Sequence, residues 1–191
     1  MSLKIEKIRQ ILENKEIEIL NGLSDEEIEK IEKFYNIKFP KVLRILYKSF
    51  LPNFYNWRDF SENNVKKIKN YLNMPIEGIL FDIENNGFWM DCLGEKTGNP
   101  EQDKAKAEEF FKNAKEEEVP KLIPLYSHRY VPSFPDSIDV PIFSVMQTDI
   151  IYYGKNIENY FEHEFGNNYN PEQESADLGI IEIPFWSKLA F

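Results

Sequence analysis

The chain has a single cysteine, Cys92, among 191 residues, and this scarcity excludes a disulfide framework and a thiolate zinc site. Histidine is nearly as rare. His128 and His163 stand alone, outside any His-x-x-x-His or Glu-x-x-His pair that could bind a metal. No P-loop, Gly-x-Gly-x-x-Gly or Gly-x-Ser-x-Gly motif occurs. The sequence therefore predicts no metal, no cofactor and no catalytic motif.

Long apolar runs are also missing. No stretch approaches the roughly 20 apolar residues that a membrane-spanning helix needs. Residues 1–20 carry several acids where a signal peptide would have an uninterrupted apolar segment. We therefore expect a cytoplasmic protein without membrane contact.

Bases are in the minority, with 23 Lys and Arg against 33 Asp and Glu, for a net charge of −10. A nucleic-acid ligand is not expected, because neutralising phosphates requires clustered Lys and Arg. An acidic chain attracts basic partners and speeds their encounter, so a basic protein is one candidate partner. The alternative, that the acidity serves only solubility, is favoured when charge is considered alone.

The residues that are plentiful are apolar, at 42% of the chain, and helical patterns dominate the first half. The strongest signal predicts a helix over 25–35. There Ser24 and Glu27 form a capping box, and Leu23 and Ile28 occupy the hydrophobic-staple positions. Other helices are predicted over 4–14, 40–50, 61–72 and, with Asn99 as cap, 99–118.

Strand patterns dominate the second half. Asn85-Asn86-Gly87 between two apolar runs predicts a hairpin within 78–92. Further strands are predicted over 121–126, 129–131, 141–147 and 149–153, followed by a helix over 157–165, a loop over 166–179 and a final strand or docking segment over 180–189. We expect one α+β domain over residues 1–191, with a mixed, mostly antiparallel sheet flanked by helices. Ten residues are predicted to share one core: Ile28, Ile31, Phe34, Leu43, Leu46, Ile79, Phe81, Phe143, Val145 and Ile151.

Three candidates for chemistry are weak. Asp82 and Glu84, two apart on a predicted strand, would share a face about 7 Å apart, a separation compatible with a glycosidase pair, but also with the solvated face of a hairpin. His128 lies near Ser127 and Ser133 without a nucleophile motif, so a structural role is favoured. His163 is predicted on a solvated helix face.

Two segments are candidates for partner contact. The stretch 53–60 places an Arg–Asp pair among aromatic residues, which is typical of loop anchors and of binding hot spots alike. A run of three acids is predicted at a solvated helix end, where it would steer a basic partner. The predicted contact residues are Tyr55, Trp57, Arg58, Asp59, Glu116, Glu117 and Glu118.

The order of these features resembles the SUKH superfamily, which includes the fungal Smi/Knr-type cell-wall synthesis regulators and many bacterial proteins. The resemblance covers roughly residues 23–165. It rests on the capped helix "LSDEEIEKIEKFYNIKFP" leading into "KVLRILYKSF", on "GILFDIENNGFW" and "LIPLYSHRYVP", and on "PIFSVMQTDIIYYGKNIENYFEHEF". The chain departs from the family in having Phe39 where Leu is common and Leu51-Pro52-Asn53 where Asn-Gly-Gly is common.

The resemblance implies an α+β fold and a non-enzymatic role, since the bacterial members look largely like immunity proteins that neutralise toxin domains, often nucleases. Because a nuclease toxin is commonly basic, the resemblance together with the acidic charge implies a basic toxin domain as the partner. It does not fix which residues contact the partner. Two alternatives remain open at this point. One is a small hydrolase acting on a sugar or phosphoester through Asp82 and Glu84 or His128, and the other is a regulatory scaffold related to cell-wall synthesis.

Overall fold

The computed structural model describes residues 3–166 and 179–190. In these ranges the chain forms six α-helices and six strands, and two 3-10 turns lie at Asp91–Leu93 and Trp186–Lys188. The helices are α1 Ile5–Glu13, α2 Asp25–Tyr35, α3 Lys41–Ser49, α4 Glu62–Asn85, α5 Pro100–Asn113 and α6 Ile157–Phe165. The strands are β1 Ile19–Asn21, β2 Phe50–Pro52, β3 Leu122–Tyr126, β4 Arg129–Pro132, β5 Ile142–Met146 and β6 Asp149–Gly154.

Local chemistry explains where α2 begins. The Glu27 amide donates to Ser24 Oγ at 3.2 Å, and the Ser24 amide donates to Glu27 Oε2 at 2.8 Å. These bonds satisfy two amide groups at the helix start that have no partner within the helix. The predicted capping box and the predicted helix over 25–35 are both confirmed.

Strands β3 to β6 form one antiparallel sheet in chain order, and β1 pairs with β2 in a second, two-stranded sheet. A single parallel bridge, between Ile150 and Ala190, attaches the C-terminal segment to β6. That segment docks further through Trp186, whose Nε1 donates to the Pro120 carbonyl at 2.6 Å. The predicted α+β fold, with a mostly antiparallel sheet flanked by helices, is confirmed.

The four-stranded sheet separates two apolar cores. Neighbouring residues on one strand, such as Leu122 and Ile123 on β3, belong to different cores because successive side chains point to opposite faces. The first core gathers α1, α2, α3, β2 and α6. The second gathers the C-terminal half of α4, α5 and the segment 183–189. Residues of α1 pack in the same core as the sheet, as Ile8 and Leu12 show.

The prediction of one core is therefore wrong, and three of its ten residues are misplaced. Phe34, Phe81 and Ile151 are 47%, 48% and 39% exposed. The other seven are buried, four in the first core and three in the second. A single apolar pattern does not report which side of a two-sided sheet a residue covers.

The largest error concerns α4, which continues through Pro75 to Asn85 where a hairpin was predicted. Pro75, Ile79 and Ile83 recur at the spacing of a helix and are buried on its inner face. A helix therefore buries the apolar side chains of this segment on one side, which explains why it forms in place of two strands. Asn86 follows as the C-cap, and its amide donates to the Asp82 carbonyl. The Asn-Gly step therefore ends a helix here.

Two smaller boundaries differ as well. α5 stops at Asn113, because Ala114 adopts an extended backbone, and the three acids at 116–118 lie in a turn beyond the helix. Most of the predicted loop over 166–179 lies outside the described residues. The four strands over 121–154 and the helix over 157–165 are confirmed within one or two residues.

Candidate functional site

The aromatic side chains of the 53–60 segment are not available for partner contact. Tyr55 is 4% exposed and Trp57 is 1% exposed, and both belong to the first core. The Trp57 ring meets Phe39 and Tyr35 edge-on, with ring centroids 5.2 and 5.6 Å apart. Their assignment as partner contacts is corrected, because the apolar rings gain more from burial than from exposure on a loop.

Arg58 belongs to the framework too. Its Nε donates to Glu27 Oε1 at 2.6 Å, Nη1 donates to the Asn21 carbonyl at 2.6 Å, and Nη2 donates to the Gly22 carbonyl. The hydrogen bond from Arg58, with one from the Ser24 amide, lowers the pKa of Glu27 to about 2. Asp59 is also used locally, since its Oδ1 accepts from the Ser61 amide at 2.8 Å. The segment therefore ties α2, β1 and α4 together.

The acids at 116–118 divide into two groups. Glu116 is half-buried, and its carboxylate accepts from the Lys121 amide at 3.0 Å and from Ser133 Oγ. Glu118 is exposed but accepts from the Lys115 amide at 2.9 Å, which closes the turn. Of the three acids, only Glu117 is both exposed and without a hydrogen bond or ion pair to another described residue. The placement of this run on a helix end is wrong, and Glu116 acts as a structural acid.

Asp82 and Glu84 lie on α4, so they do not share a face as the strand prediction required. Residues two apart on a helix point in nearly opposite directions. Glu84 pairs with Lys104 at 2.6 Å, whereas the Asp82 carboxylate accepts from the Thr148 amide at 3.0 Å and Thr148 Oγ1 at 2.6 Å. The two carboxylates have different partners and form no catalytic pair.

The Asp82 carboxylate holds the β5–β6 turn. Burial alone raises the pKa of Asp82, but hydrogen bonds from Thr148 and Asn86 outweigh it, and the pKa lies below its usual value. One turn earlier on α4, Gly78 meets the same hairpin: a Cβ at this position would lie 2.7 Å from the Gln147 Cα. The turn therefore sits against the helix at backbone distance, and only glycine fits there.

His128 lies in the β3–β4 turn with Ser127, whose Oγ is 3.1 Å from His128 Nδ1. Burial and the neighbouring Arg129 lower the pKa of His128, and Glu164 opposes this effect. The His128 carbonyl accepts from the Val145 amide at 2.9 Å, which continues the ladder between β4 and β5. These contacts support a structural role for the turn.

His163 is not on a solvated face, contrary to the prediction. Its ring stacks on Tyr153, with ring centroids 4.3 Å apart, and its Nδ1 lies 3.0 Å from the Tyr153 carbonyl. Arg129 covers the same tyrosine, 3.6 Å from the ring centre, and pairs with Glu164 at 3.3 Å. The cluster joins α6 to the sheet.

A groove of about 560 Å³ lies between the end of α2, the middle of α4, the end of α5 and the start of β3. Its floor is apolar and includes Leu72, Phe111 and Trp186. Its rim carries both signs of charge, with Lys69, Lys112 and Lys121 against Glu77, Glu108 and Glu116. The groove therefore does not select a ligand by charge.

A second depression, of about 420 Å³, is lined by residues 88–92 with Thr148, Lys188 and Leu189. It includes Cys92, the only thiol of the chain. Burial raises the pKa of Cys92, although Lys188 opposes this effect, so the thiol is less ionised than a free cysteine. Among residues 3–166 and 179–190, no group of three or more acids, histidines and cysteines is placed to hold a metal ion.

The distribution of charge along the chain is uneven. Residues 70–95 and 130–154 contain no Lys, Arg or His, although the chain has 23 Lys and Arg in total. The fold brings the two stretches together at the contact between Gly78 and Gln147. Bases from elsewhere reach both stretches, since Lys104 pairs with Glu84, Arg44 pairs with Asp136, and Lys188 lies in the same depression as Asp91 and Thr148. The eight acids in these stretches are Glu77, Asp82, Glu84, Asp91, Glu95, Asp136, Asp139 and Asp149.

This juxtaposition was missed at the level of sequence. The two base-free stretches can be recognised in the chain, but nothing local indicates that α4 crosses the β5–β6 turn.

No described helix is both long and apolar enough to span a bilayer. Comparisons with protein-family models, curated proteins and solved structures found no significant match to this chain.

Proposed function

We propose that this chain is a protein-binding module without catalytic activity of its own, which acts as an immunity protein by neutralising a basic, nuclease-type toxin domain. The observation that carries the proposal is the meeting of two base-free, acidic stretches around the β5–β6 turn. An excess of acids over bases raises the encounter rate with a basic partner and disfavours acidic partners.

Two further points support a binding role. The carboxylates Asp82 and Asp103 are buried, and their oxygens are engaged by local amides and hydroxyls, so they stabilise loops. The resemblance to the SUKH superfamily stays a prediction, and it points to the same role. The hydrolase alternative requires the Asp82 and Glu84 carboxylates to face one reaction centre. On α4 they point in nearly opposite directions and bind different partners, so no observation favours this alternative.

The test is reconstitution with the toxin domain encoded by a neighbouring gene. The purified chain should form a complex with that domain and abolish its nuclease activity. The association rate should fall as the Debye length shrinks from about 10 Å at 0.1 M salt to about 3 Å at 1 M.

The same experiment separates the alternatives. No complex with any neighbouring gene product, or an association rate indifferent to salt, would contradict an electrostatically steered immunity protein. Binding to a cell-wall synthesis enzyme without inhibition of a toxin would favour the regulatory scaffold.

A further inference from the structure

Helix α4 is the longest element of the described structure, with 24 residues that extend for roughly 36 Å. One of its sides is buried, since Ile68 lies in the first core and Ile79 and Ile83 lie in the second. The opposite side is exposed along the whole helix, and we name it the outer face of α4. The exposed residues of the outer face are Asn63, Lys66, Asn70, Asn73, Met74, Glu77 and Phe81.

Two large apolar side chains of the outer face are not covered by the rest of the described chain. Met74 is 40% exposed and Phe81 is 48% exposed. They lie two helical turns apart, so both point to the same side of α4. Phenylalanine and methionine are enriched in protein interfaces, and methionine adapts its shape to a partner. The outer face therefore has the apolar content of a contact surface.

The charges of α4 are divided between its two halves. The N-terminal half contains Glu62 and the three lysines of 66–69, so its net charge is positive. From residue 70 to its end, α4 has no base, and its acids are Glu77, Asp82 and Glu84. The helix is therefore positive at one end and negative at the other.

One base and one acid of the outer face are free to pair with a partner. Lys66 and Glu77 form no ion pair with another described residue. Glu77 also borders the groove whose rim includes Lys69, but the Lys69 Nζ lies over Phe34, 5.6 Å from the ring centre. In contrast, Glu84 is already paired with Lys104 at 2.6 Å.

We propose that two copies of this chain associate through the outer face of α4, with the two helices antiparallel about a two-fold axis. Lys66 and Phe81 lie equally far from the midpoint of α4, about 11 Å along its axis. Reversing one copy therefore places its Lys66 opposite Phe81 of the other copy, within one helical turn of Glu77. A two-fold axis makes this contact twice.

Each side chain of this contact has a defined part. The methylene groups of Lys66 would cover the Phe81 ring, while the ammonium group reaches the Glu77 carboxylate. Met74 of each copy would lie beside the two-fold axis and meet the other copy. The apolar groups supply the affinity, and the two ion pairs fix the antiparallel orientation.

Other occupants match only half of the outer face. A basic segment would complement Glu77 but would be repelled by the lysines of 66–69. Nucleic acid and anionic lipid headgroups would be attracted to those lysines and repelled by Glu77. A reversed second copy presents an acid to the basic half and a base to the acidic half, so its charges complement both. The dimer is independent of the proposed function, which concerns the acids around the β5–β6 turn.

The test is the mass of the full chain by sedimentation equilibrium at about 0.1 mM. An interface one helix wide, with a dissociation constant on the order of 10 μM, then gives mostly dimer. We expect a mass approaching twice the 22.7 kDa of the monomer. Lys66→Glu and Glu77→Lys each place like charges together at both contacts, so each should weaken the dimer by at least about tenfold.

Mixing the two variants distinguishes a direct contact from a general effect of charge. In a mixed pair, each contact between positions 66 and 77 again joins opposite charges. An equimolar mixture of Lys66→Glu and Glu77→Lys should therefore restore the dimer, although each variant alone is monomeric. Lys38→Glu is the charge control, because Lys38 is exposed outside the helices and its replacement changes the net charge as Lys66→Glu does. It should alter the dissociation constant by less than about twofold.

The apolar part of the contact has its own matched control. Phe34 on α2 is 47% exposed, almost the same as Phe81, but lies outside the outer face. Phe81→Ala should weaken the dimer by at least about fivefold, and Phe34→Ala by less than about twofold.

Three results would overturn the dimer. One is a parent chain that stays monomeric at about 0.1 mM. Another is a dimer that Lys66→Glu and Glu77→Lys weaken no more than Lys38→Glu does, and the third is a mixture of the two variants that remains monomeric. A monomeric chain that still neutralises the toxin domain would overturn the dimer and leave the proposed function standing.

Discussion

The 53–60 segment and the C-terminal half of α4 show that residue type alone does not decide which aromatic side chains are buried. Tyr55 and Trp57, in a loop with the composition of a binding hot spot, are 4% and 1% exposed. Phe81, part of an apolar run that indicates a core, is 48% exposed. Aromatic residues thus serve as core in one region and as surface in the other. The difference depends on which elements pack over them.

The largest expected effect belongs to the loop. Trp57→Ala should lower the free energy of unfolding by about 3–5 kcal/mol, because it empties a site enclosed by Phe39, Tyr35 and Tyr55. Phe34→Ala should cost about 1 kcal/mol or less, since half of that ring is already exposed. Urea unfolding of both variants measures the contrast. Equal losses would show that Trp57 is not a core residue.

A smaller effect is expected at the contact between α4 and the turn. Alanine within a helix is normally more stable than glycine by about 1 kcal/mol. Gly78→Ala should instead destabilise the chain by about 1–3 kcal/mol, since the new Cβ would meet the Gln147 backbone at 2.7 Å. Urea unfolding gives the sign. A stabilised variant would mean that the turn does not lie against the helix.

The smallest effect concerns the dependence of stability on pH. The pKa of Asp82 is depressed in the folded chain, so its ionised form stabilises the fold above the unfolded value of about 3.9, and this contribution is lost as pH falls further. Asp82→Asn should therefore cost about 1–3 kcal/mol at pH 7, and the gap from the parent chain should narrow below pH 4. Urea unfolding of the parent chain and of Asp82→Asn, at pH 7 and again below pH 4, measures this difference in the free energy of unfolding. A gap that widens on acidification would contradict the assigned role.

Much of the fold could be predicted because its signals are local. The capping box of Ser24 and Glu27 involves only four consecutive residues. The strands over 121–154 can be recognised from β-type apolar patterns separated by turn residues. The long helix α4 could not be predicted in this way. Pro75 favours an interruption, but packing of Ile79 and Ile83 against the sheet carries the helix through it, and the Asn-Gly step ends the helix where a hairpin turn was predicted.

The candidate site depends on contacts that are distant in sequence. Gly78 and Gln147 are far apart along the chain, and their approach turns two unremarkable acidic stretches into one surface. The acids at 116–118 were assigned from charge alone, yet Glu116 is held by Ser133 and the Lys121 amide. A charged residue reveals its role only when its partners are known.

The central claim is that the acids gathered around the β5–β6 turn select a basic protein. Its most direct test compares Asp149→Lys with Glu29→Lys, an exposed acid on α2, since both raise the net charge equally. The measurement is the association rate with the toxin domain encoded by the neighbouring gene at 0.1 M salt. The account predicts a rate about tenfold lower for Asp149→Lys and within about twofold of the parent for Glu29→Lys. Equal rates for the two variants would contradict it.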